Sequence, residues 1–273
     1  MFIHFRNKDV TVVVTTEKDR YSSNALIRGL EILKMFSAEE PTLSLNEIAS
    51  KLGVNRTVPF RLLSTLQSFG YVHKDEQTKR YQLAPKVLEL GFSYLHSLQL
   101  PEIAQPYLEQ LRDDTGASVY LSILDGAEVV YVGHARIVGF KGIFVNTGMR
   151  FPAHATANGK LLLAFQPPDK LRSILRGAEL KPYTQQTKTL IADLEAELRL
   201  IRERGYAMTN SEFQQGISSI AAPIFNQSGA VMAAVNVVAA ETFFDDAFIR
   251  EKALPRLLDT TGKLSGFMGF GHQ

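Results

Sequence analysis

Residues 44–70, SLNEIASKLGVNRTVPFRLLSTLQSFG, constrain the fold of this 273-residue chain more than any other stretch. They read as two short helices joined by a tight glycine turn. Ser44 and Glu47 have the spacing of a capping box, in which hydroxyl and carboxylate each satisfy a free backbone N–H at a helix start. Ile48 and Leu52 share one face of that helix, and Gly53 can take the positive φ that closes it. A second helical pattern follows, with Val58, Leu62, Leu66 and Phe69 on one face and Thr57, Arg61, Ser64 and Ser68 on the other. From Lys51 to Arg61 the bases Lys51, Arg56 and Arg61 are accompanied by no acid, as suits a helix entering a phosphate-lined groove. An ordinary αα-hairpin with a solvated face has the same outline.

The flanking segments separate the two readings. Residues 70–74 and 80–83 form two short strand patterns around the polar turn at residues 75–79, a hairpin directly after the second helix. Residues 24–37 give a first helix, with Leu26, Leu30 and Leu33 at i, i+4 and i+7. Three helices and a wing make a small DNA-binding domain of the winged-helix type. Groove contacts are expected from Arg56, Thr57, Phe60, Arg61 and Ser64, and wing contacts from Lys79 and Arg80. Pro59 sets the start of the recognition helix. With Asn55 as cap, its ring would crowd a carbonyl. With Thr57 as cap, it falls in the tolerated second position, so the helix is expected from about Thr57.

Length alone predicts about two domains. The division expected is a flexible arm over residues 1–22, the winged helix over 23–84, a linker or dimerisation helix over 85–99, and a second domain over 100–273. The net charge is only +2, so DNA affinity must come from a local patch. There is no cysteine, which excludes disulfides and thiolate metal sites. No apolar run approaches the roughly 18 residues of a membrane span, and the short run Val10 to Val14 is too β-branched for a signal peptide. A cytoplasmic protein is expected.

Residues 84–98 read as a helix with Pro85 in its first position. Apolar residues surround much of it: Val87, Leu90, Tyr94 and Leu98 on one side, Leu88, Phe92 and Leu95 beside them. Packing against its copy in another subunit and packing onto its own domain explain this equally. After a break at Leu100-Pro101 the pattern is α+β. Strands are expected at residues 118–124 and 128–133, a hairpin about Asp125-Gly126, and at 140–146, 205–208, 217–225 and 231–239. Helices are expected at 156–165, 168–175 and 190–204, and from 245 to 268 with a kink at Pro255.

Several motifs together resemble the IclR family of bacterial transcriptional regulators, over residues 24–267. They are the winged helix; Gly70-Tyr71 leading to Arg80-Tyr81-Gln82-Leu83; the segment FPAHATANGK at residues 151–160; and IAAPIF at 220–225 before Gly229. The resemblance implies a GAF-like effector domain with an antiparallel sheet, dimers or tetramers on a palindromic operator, and small organic acids as effectors, aromatic compounds and catabolic intermediates among them. It also directs Asn210 or Glu212, Ser219 and Asn236 toward one effector cavity. Ser219 stands where the family often has cysteine, and Asn158 and Asn236 where it often has small residues, so the effector's identity does not transfer.

Read on their own terms, the small residues from Thr156 to Gly159 open a helix whose free N–H groups suit an anion. A carboxylate held by the amides near Ala157, Asn158 and Gly159 needs no charged side chain. Close helix–sheet packing explains the same small residues, and the resemblance favours the pocket. Met149, Phe144 and Phe151 are candidate apolar walls, and core packing explains them equally well. Catalytic alternatives lack support. Gly159-Lys160 is no P-loop, because His154 replaces the first glycine and Leu161 the Ser/Thr. His134 and His154 lack metal-ligand spacing, and no G-x-S-x-G elbow is present. No cofactor or metal is expected. An enzyme, or a protein-interaction module, in which the winged helix is accessory is the alternative reading.

Overall fold

The computed structural model describes residues 22–139 and 145–271. The arm expected over residues 1–22, all but its last residue, and the strand expected over 140–146, all but its last two, lie outside them. Val145 and Asn146 are not in a strand.

Helix α1 (Asn24–Lys34) is capped by Ser23, whose hydroxyl accepts the Leu26 N–H. It buries Ile32, while Leu26 and Leu30, expected as its core face, are exposed. Strand β1 (Leu43–Ser44) leads straight into α2 (Leu45–Lys51), and both capping-box bonds form: Glu47 N–H to Ser44 Oγ at 3.3 Å and Ser44 N–H to Glu47 Oε2 at 2.7 Å. Gly53 has φ +64°, as a helix-terminating glycine should.

Helix α3 (Thr57–Ser68) starts at the expected residue, but Arg56, not Thr57, is its N-cap. Pro59 is therefore its third residue. The first i→i−4 bond runs from Phe60 N–H to Arg56 O, so the N–H that proline lacks is one the helix would leave unpaired. Pro59 and Leu63 are buried, and Val58, Leu62 and Leu66 half-buried. Phe69, expected on the buried face, is the C-cap residue and is exposed. Strands β2 (Val72–Lys74) and β3 (Arg80–Leu83) complete an antiparallel sheet in the order β1-β3-β2. Ile32, Leu43, Ile48, Leu63, Val72 and Tyr81 form its core.

Helix α4 (Val87–Leu98) begins two residues after Pro85, which sits in the turn before it. The chain divides into two compact units between Phe92 and Ser93, within this helix. Gln99, at φ +54°, separates it from α5 (Leu100–Thr115), a helix the sequence reading did not anticipate because it carries Pro101 and Pro106.

The second unit is built on one antiparallel sheet. Strands β4 (Ser118–Asp125) and β5 (Glu128–Ala135) form a hairpin, joined by β6 (Arg150–Pro152), β7 (Ala207–Asn210), β8 (Ile217–Phe225) and β9 (Val231–Ala240) in the order β6-β5-β4-β9-β8-β7. Both faces are covered. Val119, Leu121, Ile220, Ala222, Val235 and Val237 pack with Leu108 and Leu111 of α5 and with Leu257 and Leu264 of α9 (Leu254–Phe267). Tyr120, Tyr131, Ala221 and Ala234 face Leu161 and Leu162 of α6 (Ala157–Ala164), Leu175 of α7 (Pro168–Arg176), and Leu194 and Leu198 of α8 (Ile191–Arg204). The long terminal helix expected over residues 245–268 forms as one unbroken run over 246–267, and Pro255 lies within it, directly after a π-helical stretch, Phe248–Ala253, that leads into α9.

Candidate functional site

In the first unit the exposed side of α3 carries Arg56, Thr57, Phe60, Arg61 and Ser64, all solvent-accessible; the Phe60 ring is 53% exposed. Among the described residues neither Arg56 nor Arg61 has an ion-pair partner, and the sequence from residue 48 to 74 contains no acid. Two nearby bases are committed elsewhere. Lys51 Nζ pairs with Glu40, an acid brought in from the α1–β1 connection.

Arg80, expected in the wing's contact with DNA, is a brace. Its Nε donates to Thr42 Oγ1 and its Nη2 to Thr42 O, both at 3.0 Å, and Nη2 also reaches Glu47 Oε2 at 2.9 Å. The same carboxylate oxygen closes the capping box of α2, so Arg80 ties β3 to the start of α2. Lys79 stays on the exposed wing, at φ +57°, its Nζ 2.9 Å from Glu76. The wing turn is held by Asp75 Oδ1, which accepts from the Gln77 and Thr78 N–H groups and from Thr78 Oγ1. Those bonds hold the Asp75 carboxyl below the usual range.

The second unit contains an open-mouthed cavity between the sheet and the start of α6, about 540 Å³ of empty space counted out into the solvent at its mouth. Strand register places its polar wall. Thr209 of β7 lies opposite Ser219 of β8, which lies opposite Val238 of β9; two residues along β9, on the same face, Asn236 lies opposite Tyr120 of β4. All five line the cavity with Ala155, Thr156 and Ala157. Its aromatic side is a chain of rings: Tyr120 to Tyr131 at 5.7 Å between centroids, Tyr131 to Phe151 at 5.3 Å and Phe151 to Phe213 at 4.8 Å. Val145, Gln214 and Ile217 complete it, and no charged side chain lines it among the described residues. Burial pushes the Tyr120 and Tyr131 phenols upward, so both stay O–H donors.

The Thr156 hydroxyl caps α6 by accepting the Gly159 N–H at 3.2 Å. The N–H groups of Ala157 and Asn158 precede the helix's own bonding ladder. Gly159 serves packing: a Cβ there would lie 2.3 Å from Ala153 Cα and O, and its amide is already taken by the cap.

Of the residues the sequence pointed to here, Ala157, Ser219, Asn236 and Phe151 line the cavity. Asn158 is fully buried behind it and donates to Asn236. Three others lie elsewhere. Met149 sits outside the lining, its sulfur accepting the Asn146 N–H. Asn210 is exposed and bonds Glu241 and Ser218. Glu212 turns away to Lys160 Nζ, which also meets Glu197 Oε2 at 2.7 Å. Burial raises the Glu212 pKa, and Lys160 opposes that rise. Phe144 is outside the described residues. Tyr120, Tyr131, Thr209 and Phe213 were missed, and the strand pairing that brings β4, β5 and β7 to the cavity was the signal needed.

With this geometry in place the comparisons are informative. A family model described as "IclR helix-turn-helix domain" matches residues 25–76, and one described as "Bacterial transcriptional regulator IclR C-terminal" matches residues 92–266. The Pca regulon regulatory protein of Pseudomonas putida is 33% identical over 235 residues, covering 86% of this chain and 80% of its own length. A solved transcriptional regulator of Rhodococcus sp. RHA1 is 34% identical, with TM-score 0.79, over 90% of this chain and 98% of its own. The inducer-binding domain of the Acinetobacter transcription factor PobR, solved as a double mutant with 3-hydroxybenzoic acid, is 27% identical with TM-score 0.56, over 60% of this chain and 97% of its own.

Proposed function

The chain belongs to the IclR family of bacterial transcriptional regulators, DNA-binding proteins with a small-molecule effector domain, and we propose that its effector is a small, aromatic-bearing carboxylate held at the start of α6. The cavity itself carries this reading. It is walled by Tyr120, Tyr131, Phe151 and Phe213, holds no charged side chain among the described residues, and opens on the first N–H groups of a helix. Amides and hydroxyls can satisfy an anion there, and the helix dipole favours it. The acid bound by the PobR domain has this character.

On the DNA side, Arg56, Thr57, Phe60, Arg61 and Ser64 enter the major groove and Lys79 reaches the backbone beside it. The protein works as a homo-oligomer, and Leu88 and Leu90 of α4, at 60% and 59% exposure, are surfaces for a second copy to cover. Two winged helices then read half-sites about one helical turn, or a multiple of it, apart. An effector that favours one arrangement of the oligomer shifts DNA affinity by its differential binding, and leaves unchanged, as a sensor's ligand does.

Fluorescence anisotropy on DNA from upstream of its own gene, against a shuffled duplex at near-physiological salt, tests both halves. A preference of roughly 10³ or more, altered by a member of an aromatic-acid panel, is the expected result. Equal, weak binding to both duplexes rejects the specific-operator reading. Consumption of the acid would favour an enzyme instead.

A further inference from the structure

The polar wall of the cavity continues into the core. Asn158 Nδ2 donates to Asn236 Oδ1 at 2.9 Å, and Asn236 Nδ2 donates to Ser219 Oγ at 2.7 Å. Asn236 and Ser219 line the cavity; Asn158, on α6, is completely buried and does not. Because Ser219 Oγ accepts from Asn236, one of its two lone pairs is used and its own proton is free to be donated into the cavity. At the other end, Asn158 Oδ1 is buried with no partner among the described residues. Turning both amides over would reverse every arrow: Ser219 would donate to Asn236, Asn236 to Asn158, and the Asn158 NH2 group would be the one stranded. An orphaned buried N–H is rarer and costlier than an under-satisfied carbonyl, so the chain runs from Asn158 to Ser219.

We propose that Asn158 is a positioning residue which, through Asn236, holds the Ser219 hydroxyl as a hydrogen-bond donor, so that the cavity prefers ligands presenting a proton-free oxygen at Ser219 over ligands of the same shape presenting N–H. This deepens the effector reading given above and rests on it for the identity of the site. The Asn158 side chain touches no ligand; its effect is on selectivity. Removing its donor frees the Asn236 amide to turn and lets Ser219 donate inward, which opens the site to donors.

Two measurements test this independently of each other. Neutron diffraction from crystals of the full chain in D2O distinguishes amide nitrogen from oxygen and shows the deuterons. Deuterons on Asn236 Nδ2 facing Ser219 support the proposal, and the reversed arrangement overturns it whatever the ligand is. Calorimetry then compares 3-hydroxybenzoate and 3-hydroxyacetophenone, whose carboxylate and ketone offer proton-free oxygens, with 3-hydroxybenzamidine, whose amidinium offers only N–H groups in their place. The parent should favour both oxygen ligands over the amidine, and folded Asn158→Leu should lose about tenfold of the ketone-to-amidine preference. An unchanged preference overturns the proposal. If none of the three binds while the deuterons lie as drawn, the aromatic-carboxylate reading fails and the donor polarity of Ser219 stands.

Discussion

Lys160 Nζ meets Glu212 Oε2 at 2.5 Å in the interior of the second unit, with the lysine side chain wholly inaccessible to solvent. The pair joins α6, whose first turn borders the cavity, to the connection between β7 and β8, which carries Phe213 and Gln214 into the lining. The same connection is held from a third side, where Thr184 Oγ1 and Thr187 Oγ1 donate to carbonyls of Ser211 and Glu212. The cavity wall is thus fastened from behind by charge and hydrogen bonds that never touch a ligand.

Breaking that pair from one side strands a buried carboxylate. Lys160→Met should lower the unfolding free energy by about 3–5 kcal/mol, read from urea denaturation. The double variant Lys160→Met with Glu212→Leu should recover most of the loss, because it removes the lysine and the more deeply buried of its two carboxylate partners, leaving only the more accessible Glu197 unpaired. Equal stability of the single variant and the parent would show that the pair contributes nothing.

Glu212 also gives the fold a pH dependence of known sign. Its folded pKa is raised above the ordinary glutamate value, mainly by burial. The folded state therefore binds the proton more tightly than the unfolded chain. The contribution is fully present below the unfolded pKa and is lost as pH rises through the folded one. Compared with Glu212→Gln, the parent should lose stability as pH is raised from the ordinary glutamate range toward neutrality. Urea midpoints taken in steps over that range check the slope, and parallel curves would reject it.

The contrast between Arg61 and Arg80 gives a test on DNA. Arg61→Ala should weaken specific binding by about 1–3 kcal/mol with the fold intact. Arg80→Ala should instead destabilise the first unit by about 1.5–3 kcal/mol, the range of hydrogen bonds from a charged group, with no change in the salt slope of DNA binding. Loss of a true phosphate contact lowers that slope by about 0.9. Anisotropy titrations over a salt series, paired with denaturation, separate the two roles. A reduced slope for Arg80→Ala would return it to the interface.

Which parts were legible in the sequence follows from the range over which each is determined. The capping box of Ser44 and Glu47, the turn at Gly53 and the hairpin at Gly126 depend on a few neighbouring residues, and all three form. Helix α5 was hidden because Pro101 and Pro106 contradict local propensity; burial of Leu100, Ala104, Leu108 and Leu111 against the sheet overrides them. Strand β1 has two residues, too few for any period to show. Arg80 looked like a free base because its partner Glu47 is 33 residues away. The cavity was half visible: the small residues opening α6 marked its floor, but Tyr120 and Thr209 reach it only through the order β4-β9-β8-β7, which no local pattern encodes.

Met149 and Phe213 test the corrected lining directly. Phe213 packs against Phe151 in the cavity lining with the rings tilted by 35°, whereas Met149 bonds the Asn146 amide outside it. Phe213→Ala should weaken whichever acid binds by about 1 kcal/mol or more, through lost ring contact. Met149→Ala should leave the calorimetric affinity within error of the parent, and a loss equal to that of Phe213→Ala would put Met149 back in the wall.

Gly159→Ala is the sharpest probe of how α6 is seated. The added Cβ would lie 2.3 Å from Ala153 Cα and O, which are backbone atoms and cannot rotate aside. Either α6 or the turn Ala153–Ala155 must shift, and both border the cavity through Ala155 and Ala157. Overpacking of this kind costs about 1–3 kcal/mol, so a lower urea midpoint should accompany weakened acid binding. Gly262→Ala is the matched control: it lies within α9, with no atom within 4 Å of its added Cβ. There the substitution should stabilise by about 0.4–1 kcal/mol, through reduced freedom of the unfolded chain, and leave binding unchanged. If Gly159→Ala behaved like Gly262→Ala in both measurements, the close approach of α6 to Ala153 would be wrong.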